Sequence, residues 1–227
     1  MCIRDRNNRR HFDSPWTNFS AQFNNSNKHK IYEYSPFEQT LLLDIDYIVK
    51  TDTLLKYFNG QHPVCMFDNA MSVRNELPNE RERFLYDAGI KMWWSTVVYF
   101  DRSDYSELFF NTWAHVADNY EFYQYLYNFP SKLFRTDYCV SIAVHILAGM
   151  QDNQTHLGNF DNTALVNVSQ KDDIIETHGL NDWTILAHDQ TEEWKNILVR
   201  LDKQDIHVMN KRALDRVTAN LMEAFND

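Results

Sequence analysis

Ser35-Pro36-Phe37-Glu38-Gln39-Thr40-Leu41-Leu42-Leu43-Asp44-Ile45-Asp46-Tyr47-Ile48-Val49 is the stretch that decides the fold. From Thr40 onward it is dominated by leucine and β-branched residues, is too short for a buried helix, and reads as a central strand running to Val49. Upstream, residues 7–30 are polar and Asn-rich, with Trp16, Phe19 and Phe23 as the sizeable apolar anchors, so loop and one short helix are expected there.

Downstream, Thr51 or Asp52 can cap a short helix over Thr53 to Phe58. Met92 to Phe100 is a second apolar strand. Ser103 then caps a long helix with Asp104 and Glu107 in its first turn, where the dipole favours them. Phe109, Trp113, Val116, Tyr120, Tyr123 and Tyr127 recur along it at steps of four and three, the spacing of a buried face. Pro130 ends that region, and Asp137 to Ala148 forms the next helix, started by Thr136 and closed by Gly149. Strands are expected at Ala164 to Val168, Trp183 to Ala187 and Ile197 to Leu201. The closing helix, Arg212 to Phe225, carries Leu214, Val217, Leu221 and Phe225 on one face. Strands alternating with helices imply a single α/β domain over residues 35–227, with a mostly parallel sheet flanked by helices, behind a loop-rich segment 1–34.

Composition narrows the function classes. Of 227 residues, 44% are hydrophobic and 15% aromatic, enough to build a core rather than a disordered chain. Twenty-two basic against 32 acidic residues give a net charge of −10, which disfavours an electrostatic grip on nucleic acid or an anionic membrane. The five glycines, Gly60, Gly89, Gly149, Gly158 and Gly179, are too scattered to form a Gly-rich phosphate loop. Cys2, Cys65 and Cys139 are too few for a disulfide framework or a thiolate cage, so a reducing compartment is expected. With neither a membrane-span-length apolar run nor a signal-peptide pattern, a cytoplasmic location is the expectation. Met1 to Arg6 resembles translated adapter sequence at the ends of reading frames from assembled environmental reads, and is expected to be foreign to the native chain.

In an extended strand Asp44 and Asp46 point to the same face, because side chains repeat every second residue. Two ionised carboxylates beside a buried Leu41-Leu42-Leu43 run repel one another and are poorly solvated unless a cation neutralises them. Oxygen ligation favours Mg²⁺ or Mn²⁺. The residues alone leave a second reading open, in which the strand stops at Leu43 and both acids are solvated in a loop.

The stretch from Ser35 to Val49 resembles the "SPYDETLLLDxDYIV" segment of GT-A-type, nucleotide-diphosphosugar glycosyltransferases. Three later segments are similar to further elements of that family, in order. Trp93-Trp94-Ser95-Thr96-Val97-Val98-Tyr99-Phe100 resembles the strand after the DxD unit. Phe134-Arg135-Thr136-Asp137-Tyr138, running into Ser141 to His145, resembles the "FRxDYxxSIAxH" helix start. Ile206-His207-Val208-Met209-Asn210-Lys211 resembles the terminal "HxxxK" element.

The resemblance implies a GT-A-like, Rossmann-like fold lacking its first βα units. It also implies transfer of a sugar from a nucleotide-diphosphate donor to a glycan, lipid or protein acceptor. Asp44 and Asp46 would hold Mn²⁺ or Mg²⁺, which stabilises the departing diphosphate. His207 would be a third ligand, and Lys211, on the same face of a helix, would reach the phosphates. Asp137 would bind sugar hydroxyls or act as general base, and Arg135 would pair with it or touch a phosphate. Trp93 or Trp94 would offer a ring to a sugar, although tryptophans in a strand more often belong to the core. His115 and His145 have no partner at metal spacing and read as structural.

Two other readings compete. A haloacid-dehalogenase-like phosphatase would use Asp44 as nucleophile and Asp46 as acid, but the Ser, Lys and acidic residues it also needs crowd together at Ser169, Lys171, Asp172 and Asp173. A non-catalytic α/β binding module would need none of this chemistry.

Overall fold

The computed structural model of the chain describes residues 9–14, 17–22, 26–77, 83–129, 134–151, 157–160, 164–189 and 193–226. Pro130 and residues 1–6 lie outside them. The architecture is α/β. An N-terminal hairpin pairs β1 (Arg9–Ser14) with β2 (Thr17–Gln22), where loop is expected from the sequence. A one-turn helix, α1 (Ile31–Tyr34), leads into β3 (Gln39–Leu43) and β4 (Tyr47–Ile48).

Two four-stranded sheets follow. The first has the order β3, β7 (Trp94–Asp101), β5 (Val64–Phe67), β8 (Leu157–Asn159). The second has the order β4, β13 (Ile206–Val208), β9 (Leu165–Val168), β6 (Ala70–Ser72). Consecutive strands split between them: β3, β5 and β8 lie in the first sheet, and β4, β6 and β9, which follow each directly, lie in the second. The chain thus steps directly from the first sheet to the second at three places, and Asp44 to Asp46 is one of them. A third sheet is the antiparallel meander β10 (Asp173–His178), β11 (Asp182–Ala187) and β12 (Ile197–Asp202).

The sheets are mixed rather than mostly parallel. Pairings β5–β8, β6–β9 and β9–β13 are parallel, whereas β3–β7, β5–β7, β4–β13 and the meander are antiparallel. Within the meander the reason is connection length. Parallel neighbours need a crossover of about a dozen residues or more, and the hairpin turn at Gly179 to Asn181 is far shorter. Short strands such as Val64-Cys65-Met66-Phe67 also pass unnoticed in a search for longer apolar runs.

Strand β7 is covered on both sides, which is why it reads as continuously apolar. Val98 and Phe100 enter a core with Phe109, Phe110 and Trp113 of α2 (Asp104–Asp118), and with Cys139, Val140 and Ala143 of α4 (Thr136–Leu147). Val97 and Tyr99 pack on the other side with Leu54 and Tyr57 of the 3₁₀ segment Thr53–Asn59. Ser103 caps α2 by accepting from the Ser106 amide. The long helix expected there breaks at Asn119, whose side-chain amide bonds the His115 carbonyl at 2.8 Å, and resumes as α3 (Tyr120–Leu126). The closing helix α5 (Lys211–Asn226) places Ala213, Val217 and Leu221 against Trp183, Ile206 and Val208. Among the described residues no helix is long and apolar enough to cross a membrane.

Candidate metal centre

The expected strand Thr40 to Val49 is two strands in two sheets. The Asp44 amide still bonds the Thr96 carbonyl at 2.8 Å, continuing the β3–β7 ladder. The Tyr47 amide then closes a turn on the Asp44 carbonyl at 2.9 Å, and the Asp46 carbonyl accepts from Val208 of β13, also at 2.9 Å. Asp44 is therefore fixed by one sheet and Asp46 by the other. Their carboxylates meet because the chain turns, not because one strand presents both on a face. Ile45, at the tip, is fully exposed.

His207 joins them from β13, directly between Tyr47 of β4 and Asn167 of β9 in the ladder. One ligand atom each from Asp44, Asp46 and His207 lies within 4.8 Å of the others. His207 Nε2 is 3.3 Å from Asp46 Oδ2, and the two side chains are 14% and 13% exposed. The other ring nitrogen, Nδ1, sits 2.8 Å from Asn167 Oδ1. Since that oxygen only accepts, Nδ1 carries the proton and Nε2 presents a lone pair to the acids. Burial holds the imidazole below its ordinary pKa, against the pull of the Asp44 and Asp137 carboxylates and with the help of Lys28. Two carboxylates and a neutral imidazole of fixed tautomer suit a divalent ion such as Mn²⁺.

Lysines flank the group. Lys211 contacts Asp46 Oδ2 and bonds the Val208 carbonyl at 3.0 Å. It opens α5 while His207 lies on a strand, so the two do not share a helical face as the spacing of four implies. Lys28, which the sequence did not single out, is 2.6 Å from Asp44 Oδ1 and also donates to the Ser95 carbonyl. Ser95 in turn donates its amide at 3.0 Å and its hydroxyl at 2.8 Å to Asp137 Oδ1. Asp137 Oδ2 lies 3.6 Å from the Arg135 guanidinium, which also reaches the Tyr138 hydroxyl at 3.2 Å and lies over that ring. Asp44, Lys28, Ser95, Asp137 and Arg135 thus form one continuous chain of alternating charges and dipoles. Burial by itself pushes the Asp137 carboxyl up, but Arg135, both Ser95 bonds and Lys28 outweigh it and hold it below the usual carboxylate range.

The remaining sequence candidates fall elsewhere. Trp93 is 5% exposed and belongs to the core with Met92, while Trp94 packs against the Tyr57 side. The His115 and His145 rings lie edge-on to Tyr123 and Tyr127. Asp172 is committed to the Ser169 and His188 amides at 2.7 and 2.9 Å, and Asp173 to Arg216 at 2.6 Å. The phosphatase reading therefore gains nothing from this crowded segment. Asn167 and Ser95 did leave a trace in the sequence as polar residues inside apolar strands; Lys28, in a polar segment, left none. No protein-family model, curated protein or solved structure shows a significant match to the chain.

Proposed function

We propose that the chain is a metal-dependent glycosyltransferase of GT-A type, moving a sugar from a nucleotide-diphosphate donor to an acceptor. The observation that carries this reading is the convergence of Asp44, Asp46 and His207, from a sheet-to-sheet turn and a distant strand, into a three-ligand group with an oriented imidazole. A divalent ion held there supplies Lewis-acid stabilisation of the leaving diphosphate.

The chain's own groups divide the remaining work. Lys211, more than half exposed beside the acids, offers an ammonium to phosphate oxygens entering from solvent. Asp137 is better suited to accepting hydrogen bonds from sugar hydroxyls than to removing a proton. A carboxylate held ionised by Arg135, Ser95 and Lys28 is a weak base, whereas an effective general base titrates near the working pH. Arg135 orients Asp137 and is itself held by Tyr138.

The test is calorimetric titration of UDP and GDP into the purified chain, with and without Mn²⁺, beside an Asp44→Ala/Asp46→Ala double variant. Mn²⁺-dependent binding that the double variant loses is the expected result. Binding of either nucleotide that ignores both Mn²⁺ and the double substitution would overturn the reading, and no binding under any condition would favour a non-catalytic module.

A further inference from the structure

The acids in this site are not bare. Each carries a lysine, and the two lysines are held differently. Lys211, on Asp46 and the Val208 carbonyl, is 53% exposed and opens to solvent. The Lys28 side chain is only 8% exposed, with Nζ lodged between Asp44 Oδ1 and the Ser95 carbonyl. An ammonium 2.6 Å from Oδ1 occupies one of the two Asp44 oxygens and lies close to any divalent ion bound to that carboxylate. Two cations at such separation in a partly buried setting repel strongly.

The backbone that carries Lys28 has little freedom to withdraw. Tyr32 stacks on Phe110 of α2 with ring centroids 5.1 Å apart, and the His29 ring meets the Trp113 edge at 6.4 Å. The Arg102 guanidinium ties down the Tyr32 and Ser35 carbonyls. Any exchange at Asp44 must therefore come from the Lys28 side chain, whose four-carbon stem has the rotamers for it.

We propose that Lys28 is a resident counter-cation of the acidic pair: its ammonium neutralises Asp44 when no divalent ion is bound and must swing off that carboxylate for one to bind, so Lys28 sets the ion affinity of the site. This rests on the metal reading of Asp44, Asp46 and His207. The arrangement offsets the cost of two adjacent, largely buried carboxylates when no ion is bound. The affinity of the site is correspondingly reduced by the bond that has to be broken.

The experiment is titration of Mn²⁺ alone, followed by the EPR signal of the free ion, into the wild-type chain, Lys28→Met and Lys28→Arg. Lys28→Met is expected to bind Mn²⁺ roughly tenfold to a hundredfold more tightly, the worth of one charge-assisted hydrogen bond no longer broken. Lys28→Arg, which keeps the charge, should stay near wild type. Equal or weaker affinity in Lys28→Met, with wild type binding normally, overturns this proposal and leaves the metal reading standing. Absence of Mn²⁺ binding in all three overturns both. Should Lys28→Met fail to fold, the wild-type chain still decides. The Lys28 side-chain NMR signals should shift as Mg²⁺ saturates the site, and unshifted signals at saturation overturn the proposal.

Discussion

His207 and Asn167 face one another across the parallel ladder of β13 and β9, with His207 Nδ1 2.8 Å from Asn167 Oδ1. That bond fixes the ring's tautomer and aims Nε2 at Asp46. Partners of this kind behind a ligating histidine change metal affinity by roughly 10–100-fold. Asn167→Ala should therefore weaken Mn²⁺ binding by about that factor while the thermal unfolding midpoint changes little. Unchanged affinity would show that Asn167 does not set the ring.

Asp137 holds Ser95 and Arg135 as well as facing the site, so two substitutions separate its structural and functional parts. Asp137→Ala leaves the Ser95 donors and the Arg135 charge without their acceptor and should cost about 1–3 kcal/mol in urea denaturation. Asp137→Asn still accepts from Ser95 and should lie closer to wild type in stability, yet lose most turnover in a donor-hydrolysis or transfer assay. Full turnover in Asp137→Asn would remove the carboxylate from the chemistry.

Much of the helical framework was legible because it is local. Ser103 with its first-turn acids, and the Phe109, Trp113, Val116 face, are set by capping and by the 3.6-residue period. The end of β3 at Leu43 was legible only as the second of two readings, because choosing it depends on Tyr47 pairing with a strand at Ile206 to Val208 contributed from the far end of the chain. The acidic pair could be marked as a metal candidate from Asp44 and Asp46 alone, but nothing in spacing joins His207 to them; only the family resemblance suggested that. Lys28 stayed hidden for the same reason, since its partners Asp44 and Ser95 are brought to it by tertiary packing.

Gly158 on β8 is required by close approach rather than by its backbone angles. A Cβ there would lie 2.5 Å from Cys65 Sγ and 2.7 Å from His62 Cγ. Cys65 is itself buried in the adjoining strand and has nowhere to retreat. Gly158→Ala should destabilise the fold by about 1–3 kcal/mol, read from the denaturant midpoint. A neutral substitution would contradict the close approach of β5 to Gly158.

Lys50 supplies a pH dependence away from the metal centre. Burial pushes its ammonium down to about 8, against the pull of Asp205, Asp202 and Asp182, and its Nζ lies 5.1 Å from the centre of the Trp183 ring. In the unfolded chain a lysine titrates near about 10.4. Between those values the unfolded state binds more protons, so this group's contribution to stability rises with pH from about 8 to about 10.4 and is flat below. The urea midpoint of wild type minus that of Lys50→Met should increase between pH 8 and pH 10; a constant difference would contradict the assignment.

The most direct test of the central claim is an anomalous-difference map from crystals of the chain grown with Mn²⁺. A single strong peak about 2.0–2.6 Å from a carboxylate oxygen of Asp44, one of Asp46 and Nε2 of His207, with the Lys28 ammonium moved off Asp44, is the predicted result. A peak elsewhere, or a bare Asp44–Lys28 pair at saturating Mn²⁺, would contradict it.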